Sequence, residues 1–453
     1  IEGFNQGVYE FVLASIDIKK KKLKKYEQIG AEIENILPAK KNKVAFSFIP
    51  GEFKGSKLSE AFRPRAYYEL NLKTGSKKLI ARGKVSLGQI ELTGDGTPWM
   101  ARGFDLQTSE LVWYARPKGS SGWDPIHRQS EDSFEEFSIE GFDVEQPHIF
   151  FVVANNGHNM AGLWEFNIKT KKFGELIYRR KDVDVSGMLD HSNQWTNPDT
   201  KVAISYASDK LHREYFDGQE AAIYKQLAGL IPNAHYQSIT SRSRDGATLT
   251  VFNQGPRDPG TYYLLHKGRF SKLSSRNALL EGEKLADVRF IKYKARDGRS
   301  IPAYITVPNG KPPFPAVVMP HGGPFVRENV RYDEWAQMLA NNGYLVLQPQ
   351  YRGSKGLGME HYMSAFNKGG QGGYKMQDDK DDGMLYLVEQ GLAQKDRLAI
   401  YGWSYGGYAA LVAASRTPQI YQCSIAGAAV SDNQMQVNYY RSRIRGAGKL
   451  EQL

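Results

Sequence analysis

In the run RLAIYGWSYGGYAALVAAS, an apolar stretch leads into one serine set among glycines, and an alanine-rich stretch follows. Gly402-Trp403-Ser404-Tyr405-Gly406 fits G-x-S-x-G between a strand and a helix, the setting of a nucleophile elbow. So tight a turn would make side chains at its flanks collide, which accounts for Gly402, Gly406 and the neighbouring Gly407. It lifts the Ser404 hydroxyl above the sheet edge. A helix starting at Tyr405 aims its free N–H groups and positive dipole end at the same point. An anionic tetrahedral intermediate of acyl transfer would be stabilised where it forms. A structural serine in a tight turn is the bland alternative, and the placement between strand and helix argues against it.

The second element is MPHGGPF, upstream and directly after an apolar strand. Its glycines let backbone N–H groups approach a substrate oxygen, and acyl transfer needs a second donor beside the amide of Tyr405. His321 is a poor base, because in such a fold the base follows the nucleophile and this histidine belongs to a turn.

These pieces need a scaffold. From VRFIKYKARDGRSIPAYITVPNG onward, strands and helices alternate: AVVMP, YDEWAQMLANNG, YLVLQPQ, MQDDKDDGMLYLVEQG, RLAIYG, YGGYAALVAAS, CSIAGAAV. Such alternation specifies a doubly wound, mostly parallel sheet with helices on both faces. Before it lies a looser repeat. LASIDIKKKKLKKY, YYELNLKTGSKKLI, LWEFNIKTKKFGEL and TYYLLHKGRFSKL each read as strand, turn, strand, with weaker copies at ELVWYARPKG and REYFDGQEA. Anchored on Ile18, Leu72, Trp113, Ile168, Phe216 and Leu264, the copies lie 41 to 55 residues apart. That is the spacing of β-propeller blades, with an irregular all-β sandwich as the alternative. The expectation is a propeller over residues 1–285, with an incomplete first blade and seven blades when whole. An α/β-hydrolase domain, also incomplete, would occupy residues 286–453.

Composition narrows the class. With 41% hydrophobic and 24% charged residues the chain fits a globular protein, and no apolar run is long enough to span a bilayer. The formal charge is +11, densest at Lys19 to Lys25, but no aromatic interleaving accompanies that run. A solvated turn is expected there, not a nucleic-acid patch. Cys423, the one cysteine, precludes an intrachain disulfide and is expected to pack inside a buried strand. No metal-ligand spacing, phosphate loop or dinucleotide fingerprint occurs, so neither metal nor cofactor is expected. Ile1 opens the chain in place of methionine, which leaves the compartment, and a removed export leader, open.

HGGP, QYRGSKGLG, GGYKMQDDKDDG and GWSYGGYAA, in that order, resemble the prolyl oligopeptidase family of serine peptidases, on its acylaminoacyl-peptidase and dipeptidyl-peptidase side. The resemblance is dense from about residue 285 onward and rests on blade pattern alone before it. It implies Ser404 as nucleophile, the amides of Tyr405 and Gly323 as oxyanion hole, and Tyr405 as an edge of the primary specificity pocket. Arg352 and the Asp378-Asp379 pair would be scaffold positions. Gln371 departs from the pattern, standing where relatives often carry an aromatic residue. Dipeptidyl peptidases of the family clamp a substrate amino terminus with acidic propeller residues. Glu135-Glu136 in SFEEFSIEGF invites that role, but inside an alternating strand segment the pair reads as a solvated edge.

A triad of this fold runs serine, then Asp or Glu, then histidine. After Ser404 the sequence has no histidine, the last being His361, and its one aspartate there, Asp432, comes too early. The expectation is therefore a chain truncated at both ends, whose remaining triad residues lie beyond Leu453. The partners implied are short peptides, without nucleic acid or a membrane span; homo-oligomerisation stays open. An esterase of the same fold, or an inactive peptide-binding homologue, are the competing readings.

Overall fold

The computed structural model describes residues 12–50, 64–280, 284–366, 374–432, 434–436 and 438. Gln371 and the C-terminal GKLEQL lie outside the described residues.

The first part is a succession of antiparallel sheets, each running in chain order. A hairpin, β1 (Val12–Asp17) and β2 (Lys22–Ile29), carries the lysine run at its turn and along β2. The first four-stranded sheet holds β3 (Glu32–Asn35), β4 (Lys43–Phe48), β5 (Ala66–Asn71) and β6 (Lys77–Arg82). The second holds β7 (Gln89–Leu92), β8 (Pro98–Asp105), β9 (Glu110–Ala115) and β10 (Asp124–Ser130). The third holds β11 (Phe137–Phe142), β12 (Ile149–Ala154), β13 (Gly162–Asn167) and β14 (Lys172–Tyr178). Three strands follow, β15 (Val185–Asp190), β16 (Lys201–Ala207) and β17 (Leu211–Tyr215), then helix α1 (Gly218–Leu230). The last sheet has β18 (Tyr236–Arg242), β19 (Thr248–Gly255), β20 (Asp258–His266) and β21 (Arg269–Ser275).

This is a propeller-like array of five sheets plus a hairpin among the described residues. The repeat anchors fall in or just after the third strand of each sheet: Leu72 after β5, Trp113 in β9, Ile168 after β13, Phe216 after β17, Leu264 in β20. Ile18 stands in the same relation to β1. Alternation explains the sheets. Along β19, every second residue from Leu249 is buried, as expected of a strand with one face on a core. Adjacent sheets pack face to face through aromatics. Trp113 of the second sheet meets Phe137 of the third edge-on at 5.0 Å, and Phe137 meets Phe166 at 5.7 Å. REYFDGQEA departs from expectation: β17 runs into α1, not into a second strand. Asp217 caps that helix, accepting from the amides of Gln219 and Glu220, and this local signal overrides the hairpin pattern.

The second part is a six-stranded sheet. Its strands are β22 (Asp287–Lys294), β23 (Ser300–Val307), β24 (Phe314–Val318), β25 (Leu345–Pro349), β26 (Ala393–Trp403) and β27 (Cys423–Gly427). The spatial order is β22-β23-β25-β24-β26-β27, antiparallel up to β25 and parallel from there on. Helices α2 (Glu334–Asn341), α3 (Met359–Met363), α4 (Tyr374–Glu389) and α5 (Tyr405–Ser415) join them. All five residues of β25 are buried, as a strand covered on both faces requires. Its core joins Ile305, Val318, Leu347 and Ile400 from the sheet with Met384 and Leu387 of α4 and Ala410 and Ala413 of α5. The expectation for Cys423 is overturned. It is exposed, because β27 is the edge strand among the described residues and pairs with β26 alone.

The two parts meet through specific bonds. The consecutive amides of Gly358, Met359 and Glu360 donate to the Asp184 carboxylate, the Asn159 carbonyl and the Asn159 side chain, at 3.1, 2.9 and 2.8 Å. These are the open donors at the start of α3, so side chain and backbone of the propeller cap a helix of the hydrolase. The Tyr304 hydroxyl also donates to the Ser208 carbonyl at 2.6 Å.

Candidate active site

Ser404 joins β26 to α5 with φ 59° and ψ −119°, a backbone conformation that side-chain-bearing residues rarely adopt. Its amide is held by the Gly427 carbonyl at 3.0 Å, and its side chain does not cap the helix. A Cβ on Gly402 would run into the backbone of Gly406, and one on Gly406 into the Pro320 carbonyl. The glycines are therefore set by close approach of three backbone segments. The third segment is the HGGP turn: a Cβ on Gly322 would lie 3.4 Å from Ser404 Cβ and 3.9 Å from its Oγ. Ser404 and the Gly322-Gly323 turn are brought together, with Gly323 at φ 114°, open to glycine.

His321 is buried and fully engaged. Its Nε2 lies 2.9 Å from the Ser354 hydroxyl, its Nδ1 is 3.1 Å from the Tyr351 hydroxyl, and burial pushes the imidazole down to about 4. A ring so placed stays neutral near pH 7 and braces the turn.

Arg352 is fully buried. Its guanidinium makes a two-pronged pair with Asp379 at 2.6 and 2.9 Å and reaches Asp297 at 3.0 Å. Asp378 bonds Arg416, just past α5, and lies 3.2 Å from Arg296. Both aspartates tie α4 to its surroundings. Asp432 accepts from the amide of Met435 at 2.8 Å and opens a turn of helix.

Glu135 and Glu136 are not part of an alternating strand. They lie in the turn between β10 and β11 and line a cavity of about 420 Å³ between the two parts. Phe134, just before them, packs on Phe366 and Tyr362 at 4.8 and 5.6 Å. Phe325, directly after the HGGP turn, stacks on the same Phe366, and Tyr405 belongs to this cluster. The acidic pair thus follows directly on Phe134, which packs in the aromatic cluster that also holds Phe325 and Tyr405. Burial pushes the Glu136 carboxyl above its ordinary range, and Lys355 partly offsets this. Arg102, Arg327, Lys355, Glu140 and Asp184 share the lining. An aromatic in front of the pair, breaking the alternation, was the available signal. Lys380 and Tyr351 were missed outright; both are fully buried behind the elbow.

A serine on a strained strand-to-helix turn, facing a Gly-Gly turn across an α/β sheet beside a propeller-like array, defines an α/β-hydrolase with a propeller. Residues 330–451 match the family model described as prolyl oligopeptidase family. That match lies within the hydrolase part of the chain and makes this part similar to the prolyl oligopeptidase family. Dipeptidyl aminopeptidase BIII of Pseudoxanthomonas mexicana is 27% identical over 382 residues, covering 79% of this chain and 52% of the relative. The acylamino-acid-releasing enzyme of Rattus norvegicus is 32% identical over 144 residues, covering 31% of this chain and 19% of the relative. Among solved structures, a prolyl endopeptidase superposes with TM-score 0.62 at 16% identity, covering 91% of this chain and 60% of that one. The chain spans about half the length of the dipeptidyl aminopeptidase it matches.

Proposed function

We propose that the protein is a serine peptidase that acts at the free amino end of short peptides. Ser404 attacks the scissile carbonyl, the amides of Tyr405 and Gly323 receive the oxyanion, and Tyr405 edges the pocket for the residue being released. Glu135 and Glu136 receive the substrate's α-ammonium group. The observation that carries this reading is the acidic pair, fixed by Phe134 against the aromatic cluster that also holds Phe325 and Tyr405. A carboxylate there offers a charge-assisted bond to an ammonium group that an acylated terminus lacks. The similarity to a dipeptidyl aminopeptidase supports the same reading.

The Ser404 hydroxyl is a weak nucleophile until a base takes its proton during attack. His321 does not serve, being neutral but committed on both ring nitrogens.

The test pairs a dipeptidyl amide reporter carrying a free amine with its N-acetylated twin, assayed on the full-length protein. Glu136→Gln should lower kcat/KM for the free amine by roughly 10- to 100-fold, the worth of a bond to a charged group. It should leave the acetylated twin unchanged. Equal loss on both substrates would remove the amine-binding role. Ser404→Ala should abolish turnover of each, by roughly 10⁴-fold or more; substantial residual activity would remove the nucleophile assignment.

A further inference from the structure

One buried amine behind the elbow lies against the rings of Tyr405 and of Tyr351, whose hydroxyl bonds the carbonyl just before Gly322-Gly323. Lys380 projects from α4 into a space with no solvent access. Its Nζ donates to the Met376 carbonyl one turn back at 2.6 Å. It lies 3.8 Å from the centre of the Tyr351 ring and 5.4 Å from that of Tyr405. Those two rings stack at 5.8 Å. The Tyr351 hydroxyl donates to the His321 carbonyl at 2.7 Å, immediately before Gly322-Gly323, and its ring stacks on the His321 imidazole at 4.3 Å. Tyr405 is the first residue of α5, next to Ser404, and its hydroxyl reaches the Met376 sulfur at 3.5 Å.

We propose that Lys380 is a positioning residue for acyl transfer, resting on the serine-peptidase reading above. From one point it clamps Tyr351, which anchors the Gly322-Gly323 turn, and Tyr405, which opens the helix behind Ser404. The clamp thereby holds the two backbone donors in place relative to each other. Small errors in such geometry cost rate without costing binding. A cation over two aromatic faces resists displacement more than an apolar chain of the same volume would.

Stability and activity should then move in opposite directions. Burial pushes the Lys380 amine down to about 7, against Asp379 and Asp381, which push it up. Replacing a costly buried charge by an apolar isostere is often neutral or stabilising. Lys380→Met in the full-length protein should therefore melt at or above the parent temperature, while kcat on an amide reporter falls about 10- to 100-fold with KM nearly unchanged. A kcat within twofold of parent in a variant that melts normally would overturn the proposal. If Lys380→Met melts well below the parent, Tyr351→Phe decides instead, since it removes only the hydroxyl that bonds the His321 carbonyl and lies beside its Nδ1. A fall in kcat at constant KM supports the clamp, and parental kcat overturns it. Labelling by a fluorophosphonate separates the two readings. Label retained in Ser404→Ala strikes the nucleophile assignment. Label lost there, with parental rates in Lys380→Met, strikes the clamp alone.

Discussion

Arg352 sits with its whole side chain out of water, and two carboxylates on different segments close around it. Such a pair adds little net stability, but removing one partner strands the other charge. Arg352→Ala should cost about 3–5 kcal/mol, read from urea melts, because Asp379 has no water to turn to. His127 makes a different prediction. It stacks on Phe137 at 3.7 Å, and burial pushes its imidazole from the ordinary 6.5 down to about 4. Between those values the unfolded chain holds the extra proton, so this group's contribution is intact above pH 6.5 and is lost as pH falls toward 4. His127→Phe should therefore gain on the parent between pH 7 and pH 5, by at most about 1.4 kcal/mol per pH unit. A difference in melting that ignores pH would contradict the assignment. At this scale the sequence was partly legible. Ser404 and the glycines were readable, since close approach of backbones leaves few residue choices. Lys380 and Asp381 were not, since only the fold reveals that their side of α4 is buried; Asp379 had come through the family resemblance alone.

Elements were easier to read where one periodicity ruled. The hydrolase strands and helices follow from their apolar runs, and the elbow follows from its glycines. The misreadings have local physical causes. At REYFDGQEA an aspartate cap outweighs a strand pattern, and at CSIAGAAV an apolar run lies on the edge strand among the described residues. Composition reports what a strand prefers to bury, whereas its rank in the sheet decides what it does bury. The elbow itself is predicted to be intolerant of single methyl groups. Gly402→Ala must push apart the backbone at Gly406, so it should destabilise by several kcal/mol, about the largest loss single substitutions give. It should also abolish labelling of Ser404. A normal melt with normal labelling would mean that the turn can relax, contrary to the contacts described.

For the whole molecule, the blade spacing was legible but the meeting of the two parts was not, because Asn159, Asp184 and Phe134 become neighbours of the hydrolase only in three dimensions. On the proposed function, the cavity bounded on the propeller side by the β10–β11 turn would admit an extended peptide end but not a packed domain. A labelled short peptide should be cleaved, and the same sequence inside a folded protein should be left intact; equal rates would contradict that gate. The capping of α3 by Asn159 and Asp184 carries a consequence for descent. Three consecutive amides of the hydrolase depend on partners encoded roughly two hundred residues earlier, and an amide that loses its partner costs stability to the extent that it is shielded from water. A recombination event that exchanged this propeller for another would strand those donors unless the newcomer carried an equivalent pair. The two halves are therefore tied in inheritance as well as in space, and their histories should branch together.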